Sequence, residues 1–348
     1  MLKFILRRVV TMVLSAFCIT MVVFYLTNLQ PNLEKIAKSE AGARISDEEV
    51  ISWLEKNGYA QPLLKRYGEW LGVAPGWTHT DEKGALHGRC ITKDTDPTAI
   101  PRYCGVVQGN WGQSNVFKAP VLDIVTTRLG LTGILMFWVM MVMVPVALLT
   151  GVMAGMREGS RLDRALSSFS IASTATPEYV SGVILIAVFA SKAGGLQWFK
   201  GSASSAMDGI TFNNFFLPVM TIALYGIGYI ARMTRASMTE VMTAQYIRTA
   251  RLKGVSFKNV VLKHALRNAL IAPFTVIMLQ FPWLLNGVVI VETLFSYKGF
   301  GWTLVQAAGN NDIQLLLGCS VVAVFVVLVT QLLSDIGYVF LNPRIRIS

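Results

Sequence analysis

The polar side chains that could do chemistry inside the long apolar runs of this chain are few. Glu178 is an ionisable residue at membrane depth, and such a residue by default suggests a ligand contact or a proton relay. The other reading is a carboxylate bonded to Ser, Thr or backbone groups freed by Pro177. Both stand at this point. Gln280 and Asn286 are amides that need partners in the membrane and are expected to face the interior of a helix bundle.

Enzymatic sets are missing from the sequence. It has three histidines, no H-E-x-x-H, no G-x-S-x-G and no Cys/His cluster suited to a nucleophile. It also lacks a G-x-x-x-x-G-K-[ST] loop, so it is not expected to hold ATP in the P-loop manner. Cys90 and Cys104 lie near His79 and His87, but the spacing fits no standard zinc pattern. Outside the cytosol the two cysteines would close a 15-residue loop, worth about 3 kcal/mol in the chain-entropy model. The alternative is two free thiols in a loop. Cys18 and Cys319 fall in apolar runs and read as small core residues.

The elements that must position these groups are membrane helices. The chain has 348 residues, 53% hydrophobic and 15% charged, far below the quarter typical of soluble domains. Apolar runs at Val9–Leu29, Leu129–Met156, Leu166–Ser191, Phe215–Ala231, Ala269–Val291 and Ile313–Ser334 each come near or exceed the length of a span. No signal-peptide cleavage site is evident, so the first run reads as an uncleaved span. Pro177 is expected to kink or break the third span, and Pro273 and Pro282 to bend the fifth.

Charge sets the orientation. Sixteen Lys and Arg fall before residue 9, in 157–164, in 232–267 and at the end of the chain. Residues 31–123 hold 11 Lys/Arg against 12 Asp/Glu. The positive-inside rule therefore places both termini in the cytosol and 31–127 outside, and accounts for the net charge of +11 without nucleic acid.

The stretch from Tyr246 to Pro273 is strongly basic and lies between two spans. Met238, Val241, Met242 and Tyr246 recur at i, i+3, i+4 and i+8, and Phe257, Val260, Val261 and Ala265 repeat that spacing. Gly254 suits a left-handed helix end and Ser256 a cap for the next helix. The expectation is helix, sharp turn, helix at the inner membrane surface, presenting a knob. A basic loop lying on anionic lipid is the alternative.

This stretch also carries a resemblance. Arg248-Thr249-Ala250, Gly254 and His264-Ala265-Leu266-Arg267-Asn268-Ala269 resemble the cytoplasmic "EAA" loop of ABC-importer permeases, most closely the dipeptide/oligopeptide branch. Gln61-Pro62 with Tyr67, Trp70 and Leu71 is similar to another stretch of that family. So are Gly109-Asn110-Trp111-Gly112-Gln113-Ser114 (with Asn110 where the family has Asp), Pro177-Glu178-Tyr179 with Gly182, and Glu292-Thr293-Leu294-Phe295 with Gly299-Phe300-Gly301. Asp335, Tyr338 and Asn342-Pro343-Arg344-Ile345 resemble the family's ending. About 30 residues, 73–103, interrupt the match.

The resemblance implies an all-α integral membrane protein with the type I importer-permease fold: six transmembrane helices, cytosolic termini and a large external loop after the first. It divides the chain into 1–30 (N-terminus and first helix), 31–127 (external region), 128–341 (permease core, with a coupling loop at 236–268) and 342–348 (tail). Arg248, Thr249, Ala250 and Gly254 would dock on an ATPase subunit. Glu292 reads as a helix-end or pore-mouth carboxylate. Implied partners are a second permease, two ATP-binding subunits that carry ATP and Mg, an extracytoplasmic solute-binding protein and membrane lipid, in a bacterial inner membrane. The chain itself would be neither an enzyme nor a holder of cofactor or metal. An ATP-independent secondary transporter or channel is the competing reading; the scarcity of carboxylates in the spans weakens a proton-coupled one.

Overall fold

The structure is a computed structural model that describes residues 2–42, 44–80, 84, 86–91, 100–192 and 196–341, without the side chains of 2–5, 285, 286 and 338–341. The Asn286 side chain and the 342–348 tail thus lie outside the described residues. Four helices are long and apolar enough to cross a membrane: α1 (Leu2–Thr27), α5 (Val121–Gly155), α8 (Phe212–Thr243) and α14 (Ile313–Leu341). Two broken helix pairs pass the same test as pairs, which makes up to six spans among the described residues.

The first broken pair is α6 (Arg161–Ala175) and α7 (Glu178–Phe189), bent by 109° at Thr176-Pro177. Proline cannot donate to the ladder, and the residue before it is pushed out of the helical region. Thr176 accordingly has ψ 123°. The second pair bends by 49° between Ala269 and Ile271, just ahead of Pro273. Pro273 therefore sits in the first turn of α12 (Ile271–Leu294), where its missing N–H is harmless.

The carbonyls that these prolines orphan are taken up by serines. The Ser237 hydroxyl donates to Ala269 O at 2.8 Å, four residues before Pro273. The Ser334 hydroxyl donates to Met278 O at 2.6 Å, four before Pro282. A neighbouring helix thus satisfies a backbone group that lipid could not.

Contacts divide the chain into two units. One comprises 1–127 and 303–325, the other 128–302 and 326–348. In the first, α1 is followed by α2 (Gln30–Ala41), α3 (Asp47–Lys56) and α4 (Leu63–Leu71). Ser46 and Glu49 form a capping box that starts α3. Phe24, Leu33, Ile36, Tyr67, Trp70, Ile313 and Leu317 build the core of this unit. Asp312 holds the start of α14: it accepts from Leu315 N at 3.2 Å, Ser114 Oγ at 2.6 Å and Val116 N at 3.1 Å. Asn110 Oδ1 accepts from Gly112 N at 3.1 Å, a bond its amide oxygen makes as well as an aspartate would.

A short hairpin, β1 (Thr78–Thr80) with β2 (Leu86–Gly88), leads into Cys90. Cys90 is disulfide-bonded to Cys104, with Cα atoms 5.5 Å apart. Arg89 Nε donates to Cys104 O at 3.3 Å beside the bridge, and Gly76 N donates to Arg102 O at 3.1 Å, which pairs the two ends of the 73–103 insertion. Replacing both cysteines by serine is expected to destabilise this unit by about 3 kcal/mol. Denaturant titration of the detergent-solubilised chain, with and without reductant, checks it: reductant should weaken the native protein and leave the double variant unchanged.

In the second unit α8 is central and packs on α6, α7 and α12. Gly151 and Gly155 on α5 let α8 approach closely, because a Cβ at either would overlap Thr234 or Met238. Gly226 and Gly228 on α8 do the same toward Met143 and Ser170.

Several boundaries differ from the sequence expectation. α5 starts at Val121, right after Pro120, because Val121 and Val125 are buried and continue the helix outward. α8 runs on to Thr243 rather than stopping near Ala231, held past the apolar run by Thr234 and Met238 packing on Gly151 and Gly155. The helix Phe300–Gly309 (α13) was not foreseen.

Candidate functional site

The basic stretch folds as a compact elbow. α9 (Gln245–Leu252) follows an extended break at Ala244. It ends at Lys253-Gly254, where Gly254 has φ +76° and its N–H bonds Arg251 O at 3.0 Å. Then come α10 (Phe257–Asn259), a π-helical turn at Val260–Ala265 and α11 (Leu266–Ala269). Such π turns are rare and recur at functional sites.

Two expectations change here. The stripe from Met238 to Tyr246 is split between α8 and α9, because the chain turns at Ala244. Ser256 occupies the cap position of α10 but its side chain makes no capping bond.

The inner face of the elbow is a closed cluster. Ile247, Ala250, Val260, Val261, Ala265 and Ala269 pack with Met238 of α8, and Val152 and Met156 at the end of α5 lie against them. Asn268 Nδ2 donates to Tyr246 Oη at 2.9 Å and ties the two arms together. Arg248, Thr249 and Gly254 are exposed. Ala250 is not: it is buried and packs in the inner cluster of the elbow. Sequence reasoning missed the apolar tip. Leu252 is 81% exposed and Leu262 51%. Leu252, set between Arg251 and Lys253 just before Gly254, was the available signal.

An ion pair, also unanticipated, fixes the helices behind the elbow. Arg235 of α8 grips Asp163 of α6 with two bonds, Nε to Oδ1 at 2.5 Å and Nη2 to Oδ2 at 2.8 Å. Gly159 N and Ser167 Oγ donate to the same carboxylate at 2.9 and 3.1 Å. Asp163 is fully buried and fully bonded, which is the condition under which a buried pair holds geometry. The elbow thus packs on Met238 of α8, and Arg235 of the same helix is paired with α6.

Two of the membrane-depth groups meet α12. Glu178 opens α7, where the helix dipole favours a carboxylate. Its carboxylate lies against Gly287 of α12, and its buried Oε1 has no hydrogen-bond partner among the described residues. Gln280 is buried and its Oε1 is likewise unpartnered among the described residues.

Glu292 has a structural setting. It is fully buried, accepts from the Thr132 hydroxyl and from Trp302 N at 2.9 Å, while Phe300 N donates to Thr132 Oγ1 at 2.8 Å. A Cβ at Gly299 would overlap the Glu292 carboxylate, and one at Gly301 the backbone of Val289. Phe295 is buried and its carbonyl accepts from Ala203 N at 2.7 Å. The E-x-x-F…G-x-G pattern is therefore a knot that closes the end of α12 on the start of α13.

Among the described residues no cluster of three or more His, Cys, Asp or Glu could hold a metal ion.

Comparison with known proteins finds components of transport systems. The family described as "Binding-protein-dependent transport system inner membrane component" matches residues 147–347. The probable peptide ABC transporter permease protein y4tP of Sinorhizobium fredii is 30% identical over 99% of this chain and 99% of its own length. The oligopeptide transport system permease protein AppB of Bacillus subtilis is 29% identical over 87% of each. Among solved structures, a crystal structure titled as an amino acid ABC transporter with histidines matches with TM-score 0.47 and 16% identity, over 62% of this chain and 94% of that one.

Proposed function

Because this chain belongs to the family of binding-protein-dependent transport inner-membrane components, and is a peptide-type ABC permease, we propose that it forms half of a translocation path for peptides or related small solutes. The path is worked by ATP hydrolysed on other subunits. In this reading six spans cross the membrane, with α6–α7 and α10–α12 each making one. Both termini and the 236–268 loop face the cytosol, and 31–127 faces outward. A second, related permease completes the path. Two ATP-binding subunits carry the nucleotide and Mg, and an external binding protein delivers the solute.

The observation that carries the proposal is the elbow: an exposed apolar tip at Leu252, flanked by Arg248 and Arg251, on a buried cluster shared with α5 and α8. A lipid-resting loop would bury its leucines in the bilayer and needs no rigid support. A groove on an ATP-binding subunit would take the tip, and its closure would push α9. Ile247 and Ala250 would pass the push to Met238, and the Asp163–Arg235 pair would carry α6 with α8. The two permeases would then rock between inward-open and outward-open states, with Glu178 and Gln280 as polar groups along or near the path.

Uptake by proteoliposomes tests this. The chain with its partner permease, both ATP-binding subunits and the binding protein should accumulate peptide only when ATP is present. Accumulation by this chain alone, without ATP-binding subunits, would favour the ATP-independent channel or secondary transporter and overturn the proposal.

A further inference from the structure

The unit formed by 1–127 and 303–325 contains a cavity of about 250 Å³ that the transport reading does not use. Its walls include the rings of Trp53, Tyr59 and Trp77, and its charged lining is Arg66, Arg89, Glu69 and Glu40, the last already accepting from Asn115 Nδ2 at 2.6 Å. These charges come from separate elements. Arg66 and Glu69 lie on α4, and Arg89 follows β2 beside the disulfide.

Each cation is held in place. Arg66 is nine-tenths buried; its Nη2 donates to Asn28 Oδ1, and its guanidinium lies over the Tyr59 ring at 5.1 Å and the Phe24 ring at 5.9 Å. Arg89 spends Nε on Cys104 O, and its two terminal nitrogens have no hydrogen-bond partner among the described residues. A cation stacked on a ring with donors to spare is preorganised for a carboxylate.

The acceptors are not satisfied. Glu69 is 2% exposed and its Oε1 has no hydrogen-bond partner among the described residues. Lys65, Arg89 and Arg66 act on it only through space, and burial pushes its carboxyl above the usual range. Gln314 Oε1, also on the cavity wall, is buried and unpartnered in the same sense. A buried polar atom left unpaired is costly, and more so when it is charged.

We propose that this cavity is a binding site for a small zwitterion, an amino acid or short peptide with both ends free, whose ammonium group meets Glu69 and Gln314 and whose carboxylate meets Arg66 and Arg89. The aromatic walls take an apolar side chain. A simple anion would leave Glu69 unpaired, and a simple cation would face two guanidinium groups. Only a ligand of both signs satisfies the whole wall. The site is separate from the elbow and needs neither ATP nor ATP-binding subunits, so its failure would leave the transport proposal untouched.

Titration calorimetry on the full chain in lipid nanodiscs tests it with three probes: L-alanyl-L-phenylalanine, its N-acetyl derivative and its C-terminal amide. The free dipeptide should bind saturably, and each blocked form about tenfold more weakly or worse. Glu69→Gln should abolish the discrimination against the N-acetyl form, and Arg89→Gln that against the amide. The three-probe comparison on the unaltered chain stands even if a variant folds poorly. Absence of saturable binding, or equal affinity for all three probes, would overturn the proposal; so would loss of discrimination against only one blocked end in the unaltered chain, since that marks a site for a single charge.

Discussion

Leu252→Asp is expected to lower ATP-driven uptake by about one to two orders of magnitude, the effect of removing one central anchor from an interface. The side chain is 81% exposed, so the chain should still reach the membrane in normal amount and unfold at an unchanged temperature. The loss would lie in contact with the ATP-binding subunit, seen as weaker co-purification of that subunit and as ATP hydrolysis that no longer responds to the solute-loaded binding protein. Ala250→Asp provides the contrast. Ala250 is buried against Ile247, Val260 and Val261, so a carboxylate there should collapse the elbow and lower stability as well as uptake. If Leu252→Asp transports like the unaltered chain, the tip does not dock.

The second large effect is on stability. Glu292→Ala is expected to cost about 3 kcal/mol or more, because it leaves the Thr132 hydroxyl and the Trp302 N–H without their buried acceptor and opens a cavity between α12 and α13. Glu292→Gln keeps one acceptor oxygen and much of the volume, and should cost less than half as much. Thermal unfolding of the detergent-solubilised variants ranks them. The account of Glu292 as a structural knot requires Glu292→Gln to fold and to transport. If it folds normally and fails to transport, the carboxylate takes part in the path instead. Gly299→Ala belongs to the same test, since its Cβ would overlap the carboxylate and should reproduce much of the alanine loss.

What the sequence made legible follows from the physics of each feature. Membrane helices were visible because lipid demands long uncharged runs, and the break at Pro177 because proline leaves no choice. Gly254 was visible because a helix end at positive φ favours glycine; its φ is +76°. Helix ends were less legible. α8 outlasts its apolar run by twelve residues because Thr234 and Met238 pack on Gly151 and Gly155 of α5, a tertiary contact that composition does not encode. The pattern Gly151-x-x-x-Gly155 was the clue to it.

Within the candidate site, the spacing identified the elbow but not which side of it faces out. Ala250 and Leu252 are two residues apart on one short helix and point opposite ways, and only the position of Val260 and Val261 decides which is buried. The Asp163–Arg235 pair could not be read, because 72 residues separate two charges that each look like an ordinary surface charge near a helix end. The partners of Pro273 and Pro282 were equally hidden. Each proline announces an orphaned carbonyl, but Ser237 and Ser334 come from other helices.

A single cysteine at the tip of the elbow tests the central claim most directly. In oriented membrane vesicles containing the assembled transporter, Leu252→Cys should react with a membrane-impermeant maleimide only from the cytosolic face. The ATP-binding subunits should protect it, and a short bifunctional reagent should join it to one of them. Labelling from the opposite face, or full reactivity with those subunits bound, would contradict the claim that work enters this protein there.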